Sequence, residues 1–199
     1  MALNPANALN RTLKWKDFVE TEGDPPGEGE FALAAETAIA LGSTGGTAVD
    51  PIPKTDPIKY KLVAVPTVNI TWQATNWVME YVFKWDKKHQ DDLLDHEQIH
   101  YLISALAGRD CHNALKAIKK KTYDDTETAV DEINAAWELL DIQDIQDKYD
   151  EDTHSLPTDF PVKQKQWATA VRACKTNNKP LRTSLETAGL IPKPAEPTE

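Results

Sequence analysis

The stretch LLDHEQIHYLISALAGRD, Leu93–Asp110, carries two of the chain's five histidines four residues apart, with a glutamate directly after the first. Its composition is helical. In an α-helix, positions i and i+4 are neighbours, so His96 and His100 project from one face. Two imidazole nitrogens so placed can meet one Zn²⁺ at about 2.0–2.1 Å each. Glu97 lies about 100° round the helix from His96. That is too far for a natural third ligand, but within reach of a metal-activated water, where a carboxylate takes the proton as the water attacks a carbonyl. This is the HExxH arrangement of zinc hydrolases. Leu93, Leu94, Ile99, Leu102, Ile103 and Leu106 surround the motif with apolar surface. A helix so surrounded is largely buried, and buried histidines and a glutamate need partners, which a metal supplies.

Catalytic zinc usually has three protein ligands and an open position. The metzincin extension needs a glycine three residues after His100 and a histidine six residues after it; Ile103 and Leu106 stand there, which excludes that subclass. His112 is about 18 Å further along a continuous helix, and His89 lies about two turns before the motif. His154 follows the next helical segment, where an antiparallel helix pair can bring it back beside His96 and His100. Asp150, Glu151 and Asp152 are the alternatives, because carboxylate oxygen also binds zinc. Asp150 can otherwise accept a hydrogen bond from a ligand imidazole. Tyr149 is a candidate donor to the oxyanion of a tetrahedral intermediate.

Around this centre the sequence predicts an α+β domain. YKLVAVPTVNITW (Tyr60–Trp72) is β-branched and alternating and reads as strand, with Pro66 marking a bulge or an edge. FALAAETAIAL (Phe31–Leu41) is also assigned to strand, LKWKDF (Leu13–Phe18) to a short edge segment and residues 42–57 to loop. A helix is expected over about 86–121. A second, long helix is expected to follow over 124–150, with Val130, Ile133, Trp137, Leu140, Ile145 and Tyr149 at helical spacing, and a third over 161–175, entered by Pro161. The layout is a small N-terminal sheet followed by three helices. Residues 1–11 are expected to form a mobile arm, 12–175 a single domain, and 176–199 an extended or disordered tail.

The 199 residues carry a net charge of −10. This argues against nucleic acid or an anionic membrane as the main partner, since phosphates would be repelled. No apolar run approaches the roughly 20 residues of a spanning helix, and the first residues lack the apolar core of a signal peptide. Cys111 and Cys174 permit one disulfide without requiring it. Arg109 is expected to pair with a carboxylate, and the six tryptophans to anchor the core. Neither a glycine-rich phosphate loop nor a nucleophilic serine or cysteine elbow is visible.

Several landmarks occur together in order: LKWKDF, FALAAETA, ITW (Ile70–Trp72), LLDHEQIHYLI (Leu93–Ile103), the pair Gly108 and Arg109, YDEDTHS (Tyr149–Ser155) and KQKQW (Lys163–Trp167). In these the chain resembles a bacterial domain-of-unknown-function family of predicted secreted zinc-dependent proteases. The resemblance implies a zincin-like metallopeptidase fold, a secreted or periplasmic location, peptide or protein substrates, and membership of the downstream histidine, here His154, in the site. This chain departs from the pattern in having Thr153 and His154 adjacent, where the family usually has one more residue between them. It also has Leu102 where the family usually has a short acidic or polar residue. The leading expectation is a zinc peptidase with His96, His100 and His154 as ligands and Glu97 as general base. The competing one is a zinc-containing binding or structural module without productive hydrolysis. An open groove beside a free strand edge separates the two.

Overall fold

The computed structural model describes residues 2–24, 34–154 and 160–193, with the side chains at 154, 160 and 161 outside the described set. It is a mixed α+β structure organised around one helix, α2 (Lys87–Ile118), 32 residues long. Asp86 caps its start by accepting a hydrogen bond from the His89 amide, which satisfies one of the free N–H groups of the first turn. At 1.5 Å per residue the helix spans about 48 Å, and it supplies side chains to all three hydrophobic clusters found among the described residues. Ile99, Leu102, Ile103 and Leu106 belong to one, Tyr101 and Ala105 to a second, and Cys111, Leu115 and Ile118 to a third.

The expected single small sheet is three smaller ones. The first has the order β1 (Ala2–Leu3), β7 (Thr67–Trp72), β4 (Ile39–Thr44) and is antiparallel. In β7 the alternation of the sequence is realised directly, since Val68 and Ile70 are buried and Thr67, Asn69 and Thr71 are not. The second has β8 (Trp77–Met79) between β2 (Val19–Thr21), which is parallel to it, and β3 (Ala35–Glu36), which is antiparallel. The third is the antiparallel pair β5 (Ala48–Ile52) and β6 (Lys59–Ala64). The expected loop over 42–57 therefore holds the end of β4 and all of β5, and LKWKDF forms a 3₁₀ turn over Trp15–Asp17. Pro66 falls between β6 and β7 rather than inside a strand, where its missing N–H costs no ladder bond. Of the strand assigned to Phe31–Leu41, residues 31–33 lie outside the described residues, and the remainder is β3 and the start of β4. Gly108 sits where α2 crosses β7: a Cβ there would stand 2.8 Å from Ile70 Cδ1 and 3.1 Å from its Cγ1. The absence of a side chain is what lets helix and strand approach so closely.

The expected long second helix is two, α3 (Thr126–Glu138) and α4 (Gln143–His154). The apolar spacing runs through both, but it serves different clusters. Ala129, Ile133 and Ala136 pack on Cys111 and Leu115, whereas Ile145 and Tyr149 pack with Ile99 and Trp167, and Val130 is exposed. One straight helix cannot deliver these side chains to two sites along α2, so the chain turns at 139–142.

Both termini also depart from expectation. In place of a mobile arm, Ala2–Leu3 pairs with β7, and α1 (Pro5–Leu9), capped by Asn4, buries Pro5 and Ala8. In place of an extended tail, α5 (Phe160–Asn177) is followed by α6 (Leu181–Thr187), which buries Leu181 and Leu185. Gly189, at φ +70°, ends α6 in the left-handed conformation that glycine tolerates. The Leu190 amide then bonds back to the Leu185 carbonyl at 3.0 Å, and Leu190 and Ile191 are buried in turn. Arg109 fastens this end to α2. Its guanidinium donates to Asp110 Oδ1 at 2.7 and 2.9 Å and to the carbonyls of Cys174 and Lys179, while Asp110 Oδ2 accepts from the Leu181 amide at 2.7 Å. Cys111 and Cys174 are both buried free thiols. Residues 194–199 lie outside the described residues.

The docking of α6 is testable. Leu185→Ala should destabilise the protein by about 3 kcal/mol, the usual cost of emptying a fully buried leucine site. Urea unfolding measures it, and a loss below about 1 kcal/mol would be at odds with a packed α6.

Candidate metal centre

His96, Glu97 and His100 sit in the half of α2 that is covered on all sides, with 1%, 3% and 9% exposure. The imidazoles of His96 and His100 turn their Nε2 atoms toward each other at 3.0 Å. Asp150 of α4 completes a triangle, its Oδ1 2.8 Å from His100 Nε2 and 3.3 Å from His96 Nε2. Among the described residues these three form a group able to hold a metal ion. A tetrahedral ion with bonds of 2.0–2.1 Å separates its ligand atoms by about 3.3 Å, close to the edges seen here. The donor set fits as well, because two imidazole nitrogens and a carboxylate oxygen are ligands that a transition metal accepts.

Their surroundings fix which nitrogen points inward. Gln146, one turn before Asp150 on α4, donates its Nε2 to the His100 carbonyl at 3.2 Å and to Ser104 Oγ at 3.1 Å. That leaves its Oε1 facing His100 Nδ1 at 2.6 Å, so Nδ1 is the nitrogen that donates. Nε2 is thereby left as the lone-pair atom a metal requires. Thr153 Oγ1 donates to the Tyr149 carbonyl at 2.7 Å and lies 3.4 Å from His96 Nδ1, so it can act in the same way on the second ring. Burial works against a charge on His100, but the Asp150 carboxylate, with help from Glu97 and Gln146, raises its pKa. Burial likewise works against a charge on Asp150, yet the two histidines hold its carboxyl well below the usual carboxylate range.

Glu97 has a different setting. Burial pushes its carboxyl above the ordinary range, against the pull of His100. Its Oε2 is buried, and the Thr37 side chain is the hydrogen-bonding group beside the carboxyl. Glu97, the two histidines and Asp150 all line one cavity of about 590 Å³, whose other walls are the segment 35–41 and the turn and first residues of α4 at 140–146. β3 and β4 each lie at the end of their sheet, so each presents an outer edge without a strand partner among the described residues.

Of the residues singled out from sequence, His96, Glu97 and His100 are brought together. His154 is the last residue of α4, and its side chain lies outside the described residues; Asp150, one turn earlier, supplies the third group. The neighbouring acids are engaged elsewhere: Lys148 Nζ pairs with Glu151 at 2.9 Å and with Asp152 at 2.7 Å, and Asp152 also accepts from Trp167 Nε1 at 2.9 Å. Tyr149 does not fit the expected oxyanion role. It is fully buried behind the histidines, its ring stacked on His96 at 4.7 Å and edge-on to His100, and its hydroxyl donates to Gln164 Oε1 at 2.6 Å. Its place is that of a wall behind the two imidazoles. His89 is exposed and paired with Asp86, and His112 lies three turns beyond His100 on the same helix. Gln146 and Thr153 were not anticipated as site residues. The available signal for Gln146 was its i, i+4 spacing to Asp150, which places both on one face.

No protein-family model matches the chain, and no curated protein or solved structure matches it.

The triangle predicts that the protein takes up about one equivalent of a divalent transition metal. His96→Ala, His100→Ala and Asp150→Ala should each abolish tight uptake. Gln146→Leu should weaken it by about 10–100-fold, the usual cost of losing a group that orients a ligand imidazole. Titration against a chromophoric competitor measures all four, and wild-type affinity in Asp150→Ala would remove that residue from the ligand set.

Proposed function

We propose that the protein is a zinc-dependent peptidase, with His96, His100 and Asp150 holding the metal and Glu97 as general base. One observation carries the reading: Glu97, a buried carboxylate, lines the same cavity as the His–His–Asp triangle. The order His-Glu-x-x-His on one helix, the zinc-compatible spacing and the resemblance of the landmarks to predicted zinc-dependent proteases support the same reading.

When bound, zinc supplies Lewis acidity, polarising a carbonyl and acidifying water. The protein's own groups do the rest. Glu97 Oε2 accepts a proton as the water oxygen bonds to the peptide carbonyl carbon, and it returns that proton to the amine nitrogen as the carbon–nitrogen bond breaks. Gln146 and Thr153 face the Nδ1 atoms and keep the imidazoles in one tautomer. The outer edges of β3 and β4 each offer backbone groups to which an extended substrate can add as a further strand.

The competing module without hydrolysis would be served by a closed site of four protein ligands. Three described ligand groups beside an open cavity favour the catalytic reading. Glu97→Gln decides between the two. The variant should retain the metal and lose at least about 100-fold in peptide hydrolysis, since an amide keeps the shape but cannot take the proton. Cleavage of unfolded protein substrates, measured beside metal content, is the assay. Activity within a few-fold of wild type would sink the general-base role.

A further inference from the structure

Asn76 is a buried polar residue that neither the metal nor the proposed chemistry uses. It stands in the turn between β7 and β8, is 1% exposed, and has all four of its polar groups engaged. Its Oδ1 accepts from the Ala38 amide, and its Nδ2 donates to the Gln73 carbonyl at 2.8 Å. Its own amide donates to the same carbonyl at 3.4 Å, and its carbonyl accepts from the Val19 amide at 2.9 Å. The Gln73 amide then donates to the Ala38 carbonyl at 3.3 Å. Both backbone polar groups of Ala38 are thus taken up by one turn. Ala38 and Thr37 form the connector in which the chain passes from β3 in one sheet to β4 in another, so the Asn76 strut fixes the backbone that carries Thr37.

Thr37 lines the Glu97 cavity, and its Oγ1 is buried although the residue as a whole is only half-buried. The hydroxyl is therefore turned into the protein, where it is the hydrogen-bonding group beside the Glu97 carboxyl. A β-branched side chain on a fixed backbone has few rotamers open to it, so this hydroxyl is a rigid reference point. Glu97 differs, since a glutamate turns about several torsions before its carboxylate is placed. The rings of His96 and His100 are held by Tyr149 and by α4; the carboxylate meets Thr37 from the strand side. We propose that Thr37 is a positioning residue for the general base: its hydroxyl donates to the Glu97 carboxylate and holds it in the orientation in which it meets the attacking water. Thr37 keeps its own proton throughout and touches no reacting atom. This rests on the peptidase reading for the role of Glu97, and adds to it the residue that aims the base.

Two substitutions separate the hydroxyl from the shape around it: Thr37→Val removes the donor and keeps the branch, and Thr37→Ser keeps the donor. Full-length, zinc-loaded protein is assayed for hydrolysis of unfolded protein substrates. Thr37→Val should lower kcat at least about tenfold, with KM within about twofold and zinc content at the wild-type level, the pattern of a misplaced base rather than of lost substrate binding. Thr37→Ser should restore kcat to within about threefold of wild type, and in a Glu97→Gln background Thr37→Val should change the residual rate by less than about twofold, since the donor then has no base to aim. A kcat for Thr37→Val within twofold of wild type overturns the assignment, as does an effect carried by KM, a serine variant as slow as the valine one, or an undiminished loss in the Glu97→Gln background. A double-mutant cycle of Thr37→Val and Glu97→Ala, followed by urea unfolding, needs no turnover: the unfolding constants should depart from additivity by at least about fivefold. Additive effects overturn the proposal whatever the activity. If the cycle shows the coupling but wild-type protein cleaves nothing, the peptidase reading falls and the hold of Thr37 on Glu97 stands.

Discussion

Everything in this molecule leans on the burial of α2. The helix contributes to all three hydrophobic clusters, and the sheets, the α3–α4 turn and α6 are arranged to cover different parts of it. Through its middle, from His96 to Cys111, the helix has no exposed residue and so no solvent-facing stripe on which to leave polar side chains. His96, Glu97, His100, Ser104 and Arg109 are therefore buried along with its leucines and isoleucines, and each must be satisfied from a neighbouring element. Arg109 is satisfied by Asp110 and by carbonyls at the end of α5 and beyond it, Ser104 by Gln146 and its own helix, and the histidines by α4. Glu97 instead turns to the strand side, with the Thr37 side chain as its hydrogen-bonding neighbour, and lines the cavity.

Much of this was legible in the residues, for reasons that can be named. The i, i+4 spacing of His96 and His100 is a local property of a helix, so it survives whatever the tertiary structure does. The alternation of Val68 and Ile70 is equally local, and β7 follows it. The third group of the triangle is not local. It depends on where α4 begins, and hence on a turn at 139–142 that contains no glycine or proline to announce it. A single long helix would have carried residue 150 to a different place relative to α2. The same limit explains Tyr149, whose position at the end of a helix suggested access to substrate, but whose ring is sealed between the histidines and Trp167. The termini were misread because short apolar runs such as those around Leu185 and Leu190 gain order only from the surface they meet, although Gly189 was a legible stop signal for α6.

The polar framework behind the triangle also divides labour between the two helices. α2 provides rings, which packing against Tyr149 holds in place. α4 provides Asp150, Gln146 and Thr153, which determine what those rings can do: one closes the triangle, and the others face the outward nitrogens.

The triangle joins parts of the chain that are 50 residues apart in sequence, His100 on α2 and Asp150 on α4. In the unfolded chain these groups are scattered, so an ion that grips all three distinguishes the native state from every other. Occupancy then acts as a clamp on the fold: by mass action, free metal at one hundred times its dissociation constant adds about 2.7 kcal/mol to the resistance to unfolding. The seam it closes is the one between α2 and α4, on which the Glu97 cavity depends for one of its walls.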